Sequence, residues 1–136
     1  MALNTRLSIA AQNAATDAIA ALADNGYIRY YTATQPTNPD TAIGAQAQVA
    51  ELHFAATAFG ASDAGVATAA AITKDSGADG GVAAWFRIYA ANGTSALWDG
   101  SIGTSGANIN LSDTTIPVGA EVTLTSYTVT TPVQEA

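Results

Sequence analysis

Few side chains in this sequence could bind a metal ion, and no segment brings enough of them together for a complete site. Glu51 and His53 stand two residues apart in an alternating segment, so both point to one side of a strand and could share a metal ion. A lone glutamate–histidine pair does not complete a metal site, and we expect a solvated surface pair. Asp75 and Asp79 resemble part of a calcium-binding loop, but the segment lacks the alternating oxygen ligands and the glutamate that closes such a loop. We therefore expect a turn there and predict no metal site.

Nucleophilic catalysis finds no better support in the sequence. The chain has one histidine and no cysteine, which excludes a disulfide framework, a zinc–thiolate site and a thiol nucleophile. The serine and threonine hydroxyls would all have to share His53, with no second base or positioned acid. A glycine loop of the phosphate-binding type is also missing. We predict no catalytic or cofactor-binding residues and a protein that is not an enzyme.

An aromatic and cationic group gives a stronger signal. Trp85, Arg87 and Tyr89 alternate along one predicted strand, and Asn92-Gly93 predicts a type I′ hairpin turn after it. A two-residue loop would place Arg87 opposite Trp98, where the guanidinium could stack on the indole. Three interpretations stay open: a core face covered by the N-terminal helix, a protein interface, or a sugar-binding platform. The opposite face of the first strand is predicted as core, comprising Val82, Ala84, Phe86, Ile88 and Ala90.

The element that precedes this sheet is an alanine-rich helix predicted over Thr5 to Ala23. Asn4 or Thr5 could cap its start, and Asp24-Asn25-Gly26 predicts a left-handed end. Apolar residues recur at three- and four-residue spacing: Leu3, Leu7, Ala10, Ala14, Ala18, Ala21 and Leu22. We expect this stripe to pack on the protein's own sheet, with a contact between subunits as the alternative.

The rest of the chain predicts short strands separated by turns. The strand segments are Tyr27 to Thr32, Gln46 to Phe54, Val66 to Thr73, Val82 to Ala91, Thr94 to Ile102, Ile109 to Leu111 and Glu121 to Thr131. We predict a mainly β fold, in which an N-terminal helix or arm (1–25) precedes a seven- to eight-stranded antiparallel β-sandwich or barrel, jelly-roll-like (26–136). The two parts would form a single domain.

Composition narrows the classes of partner. Eleven acidic residues against four basic ones give a net charge of −7, which argues against nucleic-acid binding. The start of the chain does not resemble a secretory signal, and polar residues interrupt the apolar stretch after it, so we expect no membrane association. Charged residues make up 11% of the chain, less than half the usual share. Partners could cover much of the surface; an uncharged polar exterior is the alternative.

The order of segments resembles a group of small structural proteins of tailed bacteriophages and prophages. The similarity spans nearly the whole chain in short pieces: Leu7-Ser8-x-x-Ala11-x-Asn13-Ala14-x-x-Asp17, Ile28-Arg29-Tyr30-Tyr31-Thr32-Ala33-Thr34-Gln35-Pro36, Phe59-Gly60-Ala61, Gly65-Val66-Ala67-Thr68-Ala69, Ala84-Trp85-Phe86-Arg87, Trp98-Asp99-Gly100-Ser101-Ile102-Gly103, and Val118-Gly119-Ala120-Glu121-Val122 through Tyr127. Proteins of this group are generally virion components without enzymatic activity.

This resemblance implies a capsid decoration (cement) protein on the exterior of the virion, assembled in the bacterial cytoplasm. Its partners would be the major capsid protein and its own copies, in a homotrimer. Contacts are expected from the N-terminal segment, the Gln35 to Asp40 loop and the aromatic face: Leu3, Arg6, Leu7, Pro36, Pro39, Trp85, Arg87, Tyr89 and Trp98. The alternatives are a tail, baseplate or head-fibre component, or a glycan- or receptor-binding module whose two tryptophans are exposed.

Overall fold

The structure, a computed structural model, describes residues 6–131. One helix and nine short strands follow each other in that range: α1 (Ile9–Ala21), β1 (Tyr27–Tyr31), β2 (Gln48–His53), β3 (Val66–Thr68), β4 (Gly81–Val82), β5 (Trp85–Tyr89), β6 (Ala96–Gly103), β7 (Ile109–Asn110), β8 (Thr115–Ile116) and β9 (Thr128–Thr130). The predicted class, mainly β with one N-terminal helix, is confirmed.

The strands form one main sheet and two small ones. The main sheet has the order β2-β1-β5-β6-β7, while β3 pairs with β9 and β4 pairs with β8. Every pair is antiparallel except β6 with β7, which run parallel. In the return loop between these two strands, Asn108 Oδ1 accepts from the backbone N–H of Ser101 at 2.9 Å. The predicted sandwich is therefore looser than a regular pair of antiparallel sheets.

The predicted strand Val82 to Ala91 is interrupted in the structure. Gly80 and Gly81 have φ of +88° and +131°, and this bend directs β4 toward β8 instead of toward the main sheet. The side chain of Val82 is consequently exposed and does not belong to the predicted core face. Further along, Phe86 and Ile88 are buried as predicted.

The main sheet is buried on both faces. On one face, Ile28, Tyr30 and Phe86 belong to the main core, with Ala20 and Ala23 from the helical region. On the other face, Tyr31, Trp85 and Tyr89 form a second, smaller cluster; all five residues of β5 are buried. A strand of this kind needs a cover on each side, so a further part of the chain must lie over the second cluster.

The helix is shorter than predicted. Its N-cap is Ser8, whose Oγ accepts from the backbone N–H of Ala11 at 3.1 Å, so the helix begins at Ile9 and not at Thr5. A serine that satisfies one of the first free amides is a favourable place to start. The helix ends at Ala21 with Leu22 as its cap in the right-handed conformation, so the predicted left-handed cap is wrong; Asn25 does have a left-handed φ of +56°, but in the turn that follows the helix.

Candidate protein interface

The β5–β6 hairpin has a bulge that changes the predicted pairing. Close to the turn, Tyr89 lies opposite Ala96, which is the predicted register. The register then shifts by one residue, so that Ile88 lies opposite Trp98 and Arg87 lies opposite Asp99. Leu97 is the extra residue on β6. The predicted pairing of Arg87 with Trp98 is therefore wrong, because a one-residue shift moves every later side chain to the other face.

The shifted register gives Arg87 a carboxylate partner instead of an indole. Its Nε lies 2.6 Å from Asp99 Oδ1 and its Nη2 lies 3.2 Å from Asp99 Oδ2, a two-pronged ion pair. Each side chain is only 3% exposed. The hydrogen bond to Asp99 raises the pKa of Arg87 above its ordinary value although burial opposes the charge. The guanidinium also lies over the Trp85 ring, 5.2 Å from its centre.

The second face of the sheet is an aromatic–arginine layer, consisting of Tyr31, Trp85, Arg87, Tyr89 and Arg29. The rings of Tyr31 and Trp85 are stacked with centres 4.7 Å apart, and the hydroxyls of Tyr31 and Tyr89 are hydrogen-bonded at 3.0 Å. Burial raises the pKa of Tyr31, and its hydrogen bond with Tyr89 raises it further. Arg29 lies over the ring of Tyr89, at 4.5 Å. Cation–π contacts between the guanidinium groups and the aromatic rings thus stabilise this layer.

The chain's own loop, residues 32–47, covers this layer. Arg87 Nη1 donates to the carbonyl oxygen of Thr41 at 2.8 Å, and Trp85 Nε1 donates to that of Thr32 at 3.1 Å. Ile43 packs against the buried rings from the same loop. The prediction that the helix or another chain covers this face is therefore corrected. Trp85, Arg87 and Tyr89, named as contact residues, lie beneath the loop.

Trp98 lies on the opposite face of the sheet and does not join the aromatic–arginine layer. It is partly buried against the main core, and its Nε1 donates to the hydroxyl of Tyr127 at 2.8 Å. Burial raises the pKa of Tyr127 to about 12, and the hydrogen bond from Trp98 lowers this pKa by a smaller amount. The bulge at Leu97 is the reason that the two tryptophans are separated.

The other named contact residues have different environments. Arg6 and Leu7 are exposed just before the helix, whereas Pro36 and Pro39 are half-buried within the covering loop. Leu3 lies outside the described residues. The structure thus places Pro39 beside Arg87 and Tyr89, and it leaves Arg6 and Leu7 on the outside with the helix.

The helix contacts the domain through its polar side. Its buried residues are Gln12, Thr16 and Ala20. Thr16 Oγ1 lies 2.8 Å from the carbonyl oxygen of Gly65 and 2.6 Å from Thr131 Oγ1. Asn13 Oδ1 accepts from the backbone N–H of Gly65 at 2.9 Å, and Asp17 Oδ1 accepts from that of Ser62 at 2.8 Å. These hydrogen bonds fix the rotation of the helix about its axis.

The predicted apolar stripe consequently points outward, which corrects its expected packing on the sheet. We call the exposed residues along this side the outer helix face: Ala10, Ala11, Ala14, Ala18, Ala21 and Leu22. Leu22 is 57% exposed, and beside this face Ile9 is 61% and Ile19 is 39% exposed. A helix normally buries its apolar stripe and exposes its polar one. This reversed arrangement could not be read from periodicity, which finds a stripe but not the direction in which it points.

The carboxylates considered as metal ligands have structural partners. Glu51 Oε2 accepts from Arg29 Nε at 2.6 Å, while His53 Nδ1 lies 2.8 Å from the carbonyl oxygen of Phe54. Asp75 accepts from the backbone N–H of Glu51, and Asp79 accepts from Gln48 Nε2. Within residues 6–131, no three histidine or acidic side chains are grouped so that they could hold a metal ion. In the same range, no helix has the length and apolar character needed to cross a membrane.

Comparison of the chain with protein-family models, curated proteins and solved structures finds no match. The candidate site is therefore defined by the geometry alone, and the outer helix face is the surface best suited to a partner.

Proposed function

We propose that this protein is a non-enzymatic structural component of a tailed-bacteriophage virion, a decoration protein that binds the exterior of the assembled capsid as a homotrimer. The observation that carries the proposal is the outer helix face. An apolar face that is turned away from the core, on a helix held by hydrogen bonds on its other side, fits a surface that proteins cover on assembly.

The size of this face favours a role in a repeated assembly. A 13-residue helix is about 20 Å long and about 10 Å wide, so one face offers roughly 200 Å². A stable protein–protein interface buries about 800 Å² on each partner. The helix therefore supplies part of a contact, and many copies on one shell would add the remainder. A protein that binds only the assembled shell stabilises it by mass action.

The charge of the chain supports the same role. The net charge is −7, while the residues of the outer helix face are alanine and leucine, with the exposed carboxylate of Asp17, which accepts from Ser62, at its border. Copies of an acidic protein repel each other through their charged surfaces, so close packing in an assembly is easiest through an uncharged one.

The first experiment measures the copy number in purified virions by quantitative mass spectrometry against the major capsid protein. Decoration predicts a ratio near one or a simple fraction of it. A handful of copies per particle would favour the tail, baseplate or head-fibre alternative. Complete absence from virions would refute the proposal.

The second experiment tests the surface itself. Ala14→Glu and Ala18→Glu place a charge on the outer helix face, and we expect each to reduce binding to purified capsid shells by at least tenfold. Ala42→Glu is the matched control, since Ala42 is an exposed alanine in the loop on the opposite side of the main sheet. Equal binding by all three variants would contradict the assignment of the helix as the contact surface.

The glycan-binding alternative has less support. It requires two exposed tryptophans on one face, but Trp85 is fully buried and Trp98 lies on the other side of the sheet. A sugar platform formed by the pair would need the covering loop to leave and the hairpin register to change.

A further inference from the structure

A groove of about 400 Å³ lies between β9 and the β6–β7 region. The partly exposed Trp98 and the nearly buried Phe86 and Tyr127 lie along it, and Thr128 to Thr130 line one side of it. Its size is that of a cleft for a ligand. The outer helix face plays no part in this groove, so a ligand bound here would be independent of the proposed function.

One wall of the groove is a strand edge without a partner strand. Ala69 N–H donates to the carbonyl of Tyr127, and Thr131 N–H donates to that of Gly65. In an antiparallel ladder these bonds involve alternate residues, so the N–H and C=O groups of Thr128 and Thr130 point away from β3 and toward the groove. Within residues 6–131, no hydrogen bond to these backbone groups is formed.

The opposite wall, formed by β6, also directs backbone groups toward the groove. Ile102 N–H donates to the carbonyl of Ala84, which places the backbone groups of Asp99, Ser101 and Gly103 on the side of β6 that faces away from β5. Asn108 Oδ1 accepts from the N–H of Ser101, and the N–H of Leu111, just after β7, donates to the carbonyl of Gly103. Asp99 is left with its backbone groups facing the groove, while its carboxylate points to Arg87 on the other face.

Other strand edges of this fold are covered by the chain itself. The outer edge of β2 is bridged at His53 by Thr73, and its Val49 carbonyl accepts from Gly80. The outer edge of β3 is met by Gly60, whose N–H donates to Thr68. Uncovered edges are sites where another strand can add. The edge of β9 differs from these two because it faces an aromatic groove.

We propose that this groove binds an extended segment of a partner protein, which adds as a strand between β9 and β6. The segment would pair its backbone with Thr128 and Thr130 on one side and with Asp99 on the other. Alternate side chains of the segment would pack on Trp98, which is partly exposed, whereas the buried Tyr127 only supports that ring from below. Trp98 Nε1 is already bonded to Tyr127, so the ring offers an apolar surface and favours a hydrocarbon side chain. Strand addition of this kind takes affinity from the backbone and specificity from alternate side chains.

The test is a titration of the full, ¹⁵N-labelled chain with blocked pentapeptides, followed by NMR. The probes are Thr-Val-Thr-Val-Thr and three relatives in which leucine, isoleucine or phenylalanine replaces both valines. We expect saturable shifts of the Asp99, Thr128 and Thr130 amide resonances, with a millimolar or tighter Kd for at least one probe. The control probe is Thr-Pro-Thr-Pro-Thr, which lacks two N–H groups and should bind at least tenfold more weakly.

A variant of the protein adds a second measurement. Thr130→Pro removes an N–H that points into the groove and that β3 does not use, so we expect the fold to persist and peptide affinity to drop at least tenfold. If this variant unfolds, probes N-methylated on alternate residues replace it, and they should show the same loss.

Several outcomes would overturn the proposal. One is that none of the four probes shifts these three amides, and another is that the proline probe binds as well as the others. Shifts that follow protein concentration without peptide would assign the edge to a second copy of the chain. Shifts caused by maltose but not by peptides would assign the groove to a sugar.

Discussion

Replacing Arg87 by methionine should be among the most damaging substitutions at a polar residue of this protein. The change removes both bonds to Asp99, at 2.6 and 3.2 Å, and leaves a carboxylate that is 3% exposed without its cation. Removal of one partner from a buried ion pair costs about 3–5 kcal/mol. The variant also loses the bond from Arg87 to the Thr41 carbonyl, which holds the covering loop.

This loss is large compared with the stability of an ordinary domain. Proteins of this size unfold with a free energy of about 5–15 kcal/mol, so Arg87→Met would remove about a fifth of it or more. At about 3 °C per kcal/mol, the melting temperature should decrease by about 10–15 °C. Asp99→Leu should cost a similar amount, and the double variant should cost clearly less than the sum, because neither charge is then left buried alone.

The assay is urea unfolding followed by tryptophan fluorescence, which reports directly on the buried Trp85 in this layer. Lys74→Met provides the matched control, because Lys74 and Glu121 form an ion pair at 2.8 Å with both side chains at least half exposed. An exposed pair contributes about 0–1 kcal/mol, so this control should change little.

The reasoning would be refuted if Arg87→Met cost less than about 1 kcal/mol or no more than Lys74→Met. It would equally be refuted if the losses from Arg87→Met and Asp99→Leu were simply additive, since additivity would mean that the two side chains do not depend on each other.

Three other changes test the interior. Tyr30→Phe should raise the free energy of unfolding by about 1 kcal/mol in urea titrations, because the buried Tyr30 hydroxyl finds no hydrogen-bond partner within residues 6–131; a loss would contradict this. Tyr127 should contribute a decrease in stability of up to about 1.4 kcal/mol per pH unit from pH 10 to 12, because burial raises its pKa to about 12 and the unfolded chain loses that proton first. Burial also raises the pKa of Tyr30 and Tyr31, so the test compares the protein with Tyr127→Phe, and a urea midpoint that this variant leaves equally pH-dependent would exclude this cause. Gly26→Ala should cost about 2 kcal/mol in thermal unfolding, since its Cβ would lie 2.2 Å from the Tyr89 carbonyl oxygen, and an unchanged melting temperature would show that the backbone can yield there.

Local patterns in the sequence were sufficient for the class of fold and for most of its elements. The aromatic and β-branched residues of Tyr27 to Thr32 and the alternating pattern of Gln46 to Phe54 predicted β1 and β2 within a few residues of their ends. Asn92-Gly93 correctly indicated the hairpin, but the predicted two-residue type I′ turn is wrong, because Gly93 has a positive φ and Asn92 does not. Ala90 N–H bonds to Ser95, so the loop is four residues long. These features depend on neighbours in the chain, and the chain shows them directly.

Which face of each strand or helix is buried could not be predicted, because this depends on contacts between residues that are distant in sequence. A single bulge at Leu97 moved Trp98 away from Arg87, and nothing in the local pattern marks that residue as the extra one. The apolar stripe of the helix points outward because Thr16 and Asn13 find partners at Gly65, about fifty residues further along. The segment Gln35 to Asp40 was predicted as a loop that contacts a partner, yet the loop of residues 32–47 to which it belongs covers the protein's own aromatic–arginine layer.

The reversed orientation of the helix has an evolutionary consequence. Folding constrains Gln12, Thr16 and Ala20, whereas a partner would constrain Ala10, Ala14 and Ala18 on the other side. Selection for stability and selection for binding therefore act on different residues of one helix. Such a lineage can change the shape of its contact surface to follow a changing partner without passing through poorly folded intermediates.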